Sequence, residues 1–96
     1  MCTSITHQAK IYGRGKRGEE WIDLKECNVS YDHPYGMPLE HALNIDFVDE
    51  SKGPAARVAV ELSVDAARQL VKTIEAVLAQ AEHQGVLEDK HQAAVG

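Results

Sequence analysis

The sequence predicts an α+β domain, an antiparallel sheet of about five strands packed against one C-terminal amphipathic helix. Two observations carry that reading. Apolar and polar residues alternate through most of residues 3–62, the period of half-buried strands. From Ser63 onward the apolar residues recur at three- and four-residue spacing instead, the period of a helix with one apolar face. The links between the alternating runs are short, and strands joined by short links pair antiparallel. Parallel pairing would need a crossover of roughly a dozen residues or more.

Each element follows from local residue choice. In residues 3–12, Ile5, His7, Ala9 and Ile11 alternate with Thr6, Gln8, Lys10 and Tyr12, which predicts a first strand. Gly13 to Glu20 reads as a glycine-rich charged turn, and Trp21 to Leu24 as a short second strand. In Cys27 to His33 the apolar side carries Cys27, Val29, Tyr31 and His33, and the polar side carries Asn28, Ser30 and Asp32. Pro34 to Pro38, with two prolines and a glycine, suits neither a helix nor a sheet interior and reads as a loop. Residues 40–48 form the next strand, with His41, Leu43, Ile45 and Phe47 inward, and Arg57 to Leu62 returns with Val58, Val60 and Leu62 inward.

Ser63 is placed to cap a helix through its hydroxyl, and Asp65 suits the positive end of the helix dipole. Ala67, Leu70, Val71, Ile74, Val77, Leu78 and Ala81 then make one stripe, and Gly85 is the natural stop. Residues 1–85 are expected to form a single domain, with residues 86–96 a polar, small-residue-rich tail.

Composition narrows the function classes. The chain has 96 residues, enough for one modest core. Fifteen acidic residues against ten basic ones give a formal charge of −5, which disfavours nucleic acid and anionic membranes as partners. No apolar stretch approaches a bilayer span. Met1 to His7 has neither a basic start nor an apolar run, so a signal peptide is not expected and the cytoplasm is the default compartment. In that reducing setting Cys2 and Cys27 are expected as free thiols.

Four constellations bear on chemistry. Gly13-Arg14-Gly15-Lys16-Arg17-Gly18 matches G-x-G-x-x-G, but Glu19 to Leu24 leads into strand-like sequence. The dinucleotide motif needs a helix N-terminus there to receive the pyrophosphate, so no nucleotide cofactor is expected. Asp32 and Asp46 invite a reading as paired catalytic carboxylates. A register joining Leu43 to Val60 and Ile45 to Val58 instead sets Asp46 directly across from Arg57, as a structural ion pair. Cys2 would become an N-terminal thiol if Met1 were removed, but no neighbour in sequence identifies an activating base.

The histidines are the fourth. If residues 27–33 and 40–47 form a hairpin, the register that pairs Val29 with Ile45 and Tyr31 with Leu43 sets His33 opposite His41. Facing residues have Cβ atoms about 4.5–5.5 Å apart, within reach of one shared metal ion. With His7, Cys2 or Glu40 as a third donor, such a pair would fit a divalent metal such as zinc. The alternative is that both rings cap the core without metal.

The opening Met1-Cys2-Thr3, the Asp32-His33-Pro34 step, Glu40-His41 leading into Leu43-Asn44-Ile45-Asp46-Phe47, and Arg57-Val58-Ala59-Val60-Glu61-Leu62 before an alanine-rich helix form a joint pattern. That pattern resembles a family of short bacterial proteins, mostly from actinobacteria, that form a domain of unknown function. The likeness covers residues 1 to about 80 and implies a fold and a compartment, without an activity.

Function is therefore read from the residues. No nucleophile–base–orienter set is evident. The sequence points to a small homo-oligomeric accessory or small-ligand-binding protein, with a metal-binding protein or metal-dependent enzyme using His33 and His41 as the alternative. The oligomer, most simply a homodimer, follows from widths. Five strands at ~4.8 Å spacing span roughly 20 Å, whereas one helix covers about 10–12 Å. Part of the apolar face would stay open in one chain; a second copy is the natural cover, and the N-terminal segment or the tail folded over the gap is the alternative.

Overall fold

The computed structural model describes residues 5–53 and 56–88, apart from the side chain of Glu50. Among them four strands form one antiparallel meander, β1 (Ile5–Arg17), β2 (Glu20–Asp32), β3 (Ala42–Val48) and β4 (Arg57–Leu62), in the spatial order β1-β2-β3-β4. A short 3-10 turn, Glu50–Lys52, lies between β3 and β4, and helix α1 (Val64–His83) follows β4. The α+β class and the single C-terminal helix are as the sequence predicts.

The strand count is four rather than five, for a local reason. The glycine-rich segment is not a turn: Gly13 and Gly15 lie inside β1, and Trp21–Leu24 is continuous with Cys27–Asp32 in β2. The turn is only Gly18-Glu19, between the paired residues Arg17 and Glu20. Gly18 has φ of +62° and Glu19 does not share that sign. Glycine with positive φ at the first of two loop residues is the type II′ pattern, whose twist matches that of the flanking strands. The other two glycines serve packing and bending. A Cβ on Gly15 would stand 2.8 Å from Leu24 Cδ1 and 3.3 Å from Val58 Cγ2. Between Lys10 and Gly13 the register shifts, so that Ile11 and Tyr12 oppose Lys25 alone. Such a bulge bends its strand and raises the local twist.

The bend closes the sheet on itself. β1 and β4 are at opposite edges in the strand order, yet they touch, and Leu24 and Val58 meet around Gly15. Among the described residues Leu24, Ala42 and Ala56 are buried, as is Pro34, and Asp49, 1% exposed, is buried too. Asp49 Oδ1 accepts from the Ser51 amide at 3.1 Å and from the Ser51 hydroxyl at 2.6 Å, which starts the 3-10 turn. The Ser51 hydroxyl is the main reason the Asp49 carboxyl is held below its ordinary pKa; desolvation opposes it, and Lys25 and Lys52 assist.

Helix α1 begins and ends where the sequence places it. Ser63 Oγ accepts from the Ala66 amide at 3.2 Å. Gly85, with φ of +74°, donates to Glu82 O, and Val86 donates to Ala81 O, both at 3.0 Å. That double bond with a left-handed glycine is the Schellman stop. The helix meets the sheet at its N-terminal turns, where Val64, Ala67 and Arg68 line a groove with Tyr31 and Leu43. No residue of α1 is buried.

Candidate functional site

The sheet has an apolar face and a polar one, and the polar one is hollowed. Observed registers align Ser30 with Asn44 and Asn44 with Glu61, and likewise Asn28 with Asp46 and Asp46 with Ala59. Strand alternation therefore sends Ser30, Asp32, Asn44, Asp46, Ala59 and Glu61 to one side. Together with His33, Tyr35 and Arg57 they line a concavity of about 530 Å³.

One wall of this cleft is a loop held by a carboxylate. Glu61 accepts from the Tyr35 amide through Oε2 and from the Gly36 amide through Oε1, both at 2.7 Å. The clasp fixes residues 35–36 over β4, and Pro34 beside them is buried. At the floor, Asn44 Nδ2 donates to Asp32 O at 3.3 Å, while Asn44 Oδ1 is buried without a hydrogen-bond partner among the described residues. Asp32 Oδ1 accepts from the His33 amide at 2.7 Å. Three carboxylates, Asp32, Asp46 and Glu61, face one guanidinium, Arg57, so the cleft is acidic.

Asp46 and Arg57 are joined as the sequence suggests, by a hydrogen-bonded ion pair between Arg57 Nη2 and Asp46 Oδ1. The expected register is corrected by two residues. Leu43 pairs with Leu62 and Ile45 with Val60, so Asp46 is across from Ala59 and Arg57 from Val48. The pair is diagonal, and the length of the arginine side chain spans the offset.

The histidines fall on different neighbours. Val29 pairs with Ile45, Tyr31 with Leu43 and Asp32 with Ala42, the register expected, and the ladder ends there. His33 Nδ1 lies 3.1 Å from Glu40 O. The His41 ring stacks on Tyr31 with centroids 5.4 Å apart. His7 pairs with Val29 on β1, four residues down the strand direction from His33, a separation of about 13 Å at ~3.3 Å per residue. The described residues contain no group of three or more His, Cys, Asp or Glu placed to hold a metal ion. Cys2 lies outside the described residues, and Cys27 is a free, half-buried thiol. Burial, with a smaller contribution from the Asp46 charge, pushes its pKa up, away from a reactive thiolate.

The basic residues of the glycine-rich hairpin are largely neutralised across the ladder. Arg14 meets Asp23 at 3.2 Å and donates to Trp21 O at 3.3 Å, and Arg17 reaches Glu20 at 4.0 Å. This hairpin presents no helix N-terminus to an anion.

Sequence reasoning found the Asp46–Arg57 pair and missed Asn44 and Glu61. Their signal was the alternation that places Asn44 and Asp46 on β3, and Ala59 and Glu61 on β4, on the same side as Ser30 and Asp32. The Glu61 clasp had no local signal, because its partners are 25 and 26 residues away.

The fold and cleft define a small α+β domain of the meander-plus-helix kind. The chain belongs to the family of unknown function DUF6295, whose model matches residues 1–87. No curated protein and no solved structure matches the chain. No helix among the described residues is long and apolar enough to cross a membrane.

Proposed function

We propose that this chain is a small accessory or ligand-binding subunit that works as a homo-oligomer, most simply a dimer. The observation that carries this is the bare helix. Leu70, Val71, Ile74, Val77 and Leu78 form one apolar stripe, and each is between 41% and 60% exposed. A helix of this kind owes most of its stability to tertiary packing of its apolar face, and in a single chain α1 lacks that packing. On the sheet's other side, the acidic cleft lined by Asp32, Asp46 and Glu61 offers room and hydrogen-bond acceptors for a small ligand bearing donor groups.

The test is thermal unfolding across a hundredfold range of protein concentration. A folded dimer that dissociates on unfolding gains stability with concentration, so its Tm should climb by several degrees. A constant Tm, together with a monomer mass, would contradict the reading.

A second reading, a metal held by His33 and His41, comes from the β2–β3 register of the sequence, although that ladder ends at Asp32 and Ala42 and the two rings have different neighbours, Glu40 O and Tyr31. Zinc or nickel should then raise Tm, and replacing both histidines with alanine should remove the rise. An unchanged Tm in excess metal would dismiss it.

A further inference from the structure

The apolar stripe of α1 reads the same in both directions. Ile74 is its centre. Three residues away on either side are Val71 and Val77, four residues away Leu70 and Leu78, and seven residues away Ala67 and Ala81. Identity and spacing are both mirrored about Ile74. A two-fold axis that relates two antiparallel helices imposes that pattern of contact, because it brings residues equidistant from the axis together. Resting on the homo-oligomer reading, we propose that the occupant of this face is α1 of a second copy, antiparallel, with the dyad passing beside Ile74.

Packing agrees with that register. Each large side chain comes level with one of its own class: Ile74 with its symmetry mate, Val71 and Leu70 with the partner subunit's Val77 and Leu78. The small pair, Ala67 and Ala81, falls at the ends. There the N-terminal turns of one copy carry the apolar groove of about 440 Å³ lined by Tyr31, Leu43, Val64, Ala67 and Arg68. The C-terminal turns of the other copy's helix, with Leu78 and Ala81, lie over this groove, so the pair joins a helix to the partner's sheet as well as to its helix.

A parallel pair would align the two helix dipoles, whereas the antiparallel pair opposes them.

The experiment is disulfide trapping in full-length chains carrying Cys2→Ser and Cys27→Ser, oxidised with copper–phenanthroline. Three further variants are made, Ala67→Cys, Ala81→Cys and Ile74→Cys, each first shown by sedimentation to assemble as the parent does. In the antiparallel pair, Ala67 is level with Ala81 of the partner, while the two copies of Ala67 are about 21 Å apart at 1.5 Å per residue, beyond the reach of a disulfide. The expected result is crosslinking of Ile74→Cys alone and of the Ala67→Cys plus Ala81→Cys mixture, with little from either alanine variant by itself. Crosslinking of Ala67→Cys alone, or of no variant in a parent that sediments as a dimer, would overturn the antiparallel arrangement and leave the oligomer standing. A parent that sediments as a monomer would instead remove the reading on which it rests.

Discussion

Arg57 holds Asp46 from the diagonal position on the neighbouring strand, while Ala59 occupies the place directly across. The geometry explains why an ion pair on a mostly polar face survives next to an acidic cleft. Asp46 would otherwise add a third unbalanced carboxylate to Asp32 and Glu61.

Both partners are substantially exposed, with side-chain accessibilities of 34% for Asp46 and 52% for Arg57. A double-mutant cycle with Asp46→Asn and Arg57→Gln should therefore give a coupling of only about 0.3–1 kcal/mol, read from urea unfolding. The coupling should shrink at 1 M salt, where the Debye length is about 3 Å. A coupling above ~2 kcal/mol would mean that the pair is far more enclosed than its exposure indicates.

Gly13 and Gly18 are expected to respond in opposite directions to alanine. Both have open space where a Cβ would go, so packing does not separate them. Gly18 sits at φ of +62°, a region in which an L side chain costs about 1 kcal/mol or more, whereas Gly13 has no positive φ. Gly18→Ala should destabilise by roughly that amount, and Gly13→Ala should be neutral or stabilise by up to about 1 kcal/mol by restricting the unfolded chain. Denaturant midpoints at constant m-value test both. Equal losses at the two positions would refute the hairpin assignment.

Asp49 should give the fold an acid-sensitive contribution. Its carboxyl is held below the ordinary value chiefly by the Ser51 hydroxyl. A lowered folded pKa gives stability that is present above the unfolded value and is lost as pH falls through the folded one. The wild-type advantage over Ser51→Ala should therefore be full at neutral pH and shrink as pH drops below the carboxylate range. An advantage that stays constant to the acid limit would show that the hydroxyl contributes through packing alone.

How much was legible in the sequence depended on the range of the interaction. Ser63, Gly85 and the stripe from Ala67 to Ala81 act within a few residues of themselves, and the helix emerges with its expected cap, stop and face. The β2–β3 register was also readable, because Val29, Tyr31, Leu43 and Ile45 must share one face and a one-residue slip would invert them. The β3–β4 register was not. Apolar residues alternate on both strands, so a shift of two keeps the same face inward, and only the connection through residues 49–56 decides between the two. Gly15 was misread as a turn residue because its cause, the Leu24 and Val58 side chains, is brought near by the curl of the whole sheet. The cleft likewise required Glu61 to meet the connection between β2 and β3, 25 and 26 residues away in sequence.

The measurement that bears most directly on the account is sedimentation equilibrium of the intact chain at micromolar concentration. The structure leaves α1 with no buried residue, and a second copy is proposed to cover it. The predicted result is a mass twice the 10.6 kDa of one chain, falling towards the single-chain mass when Ile74→Asp places a charge at the dyad. A single-chain mass for the unaltered protein throughout the range would contradict it.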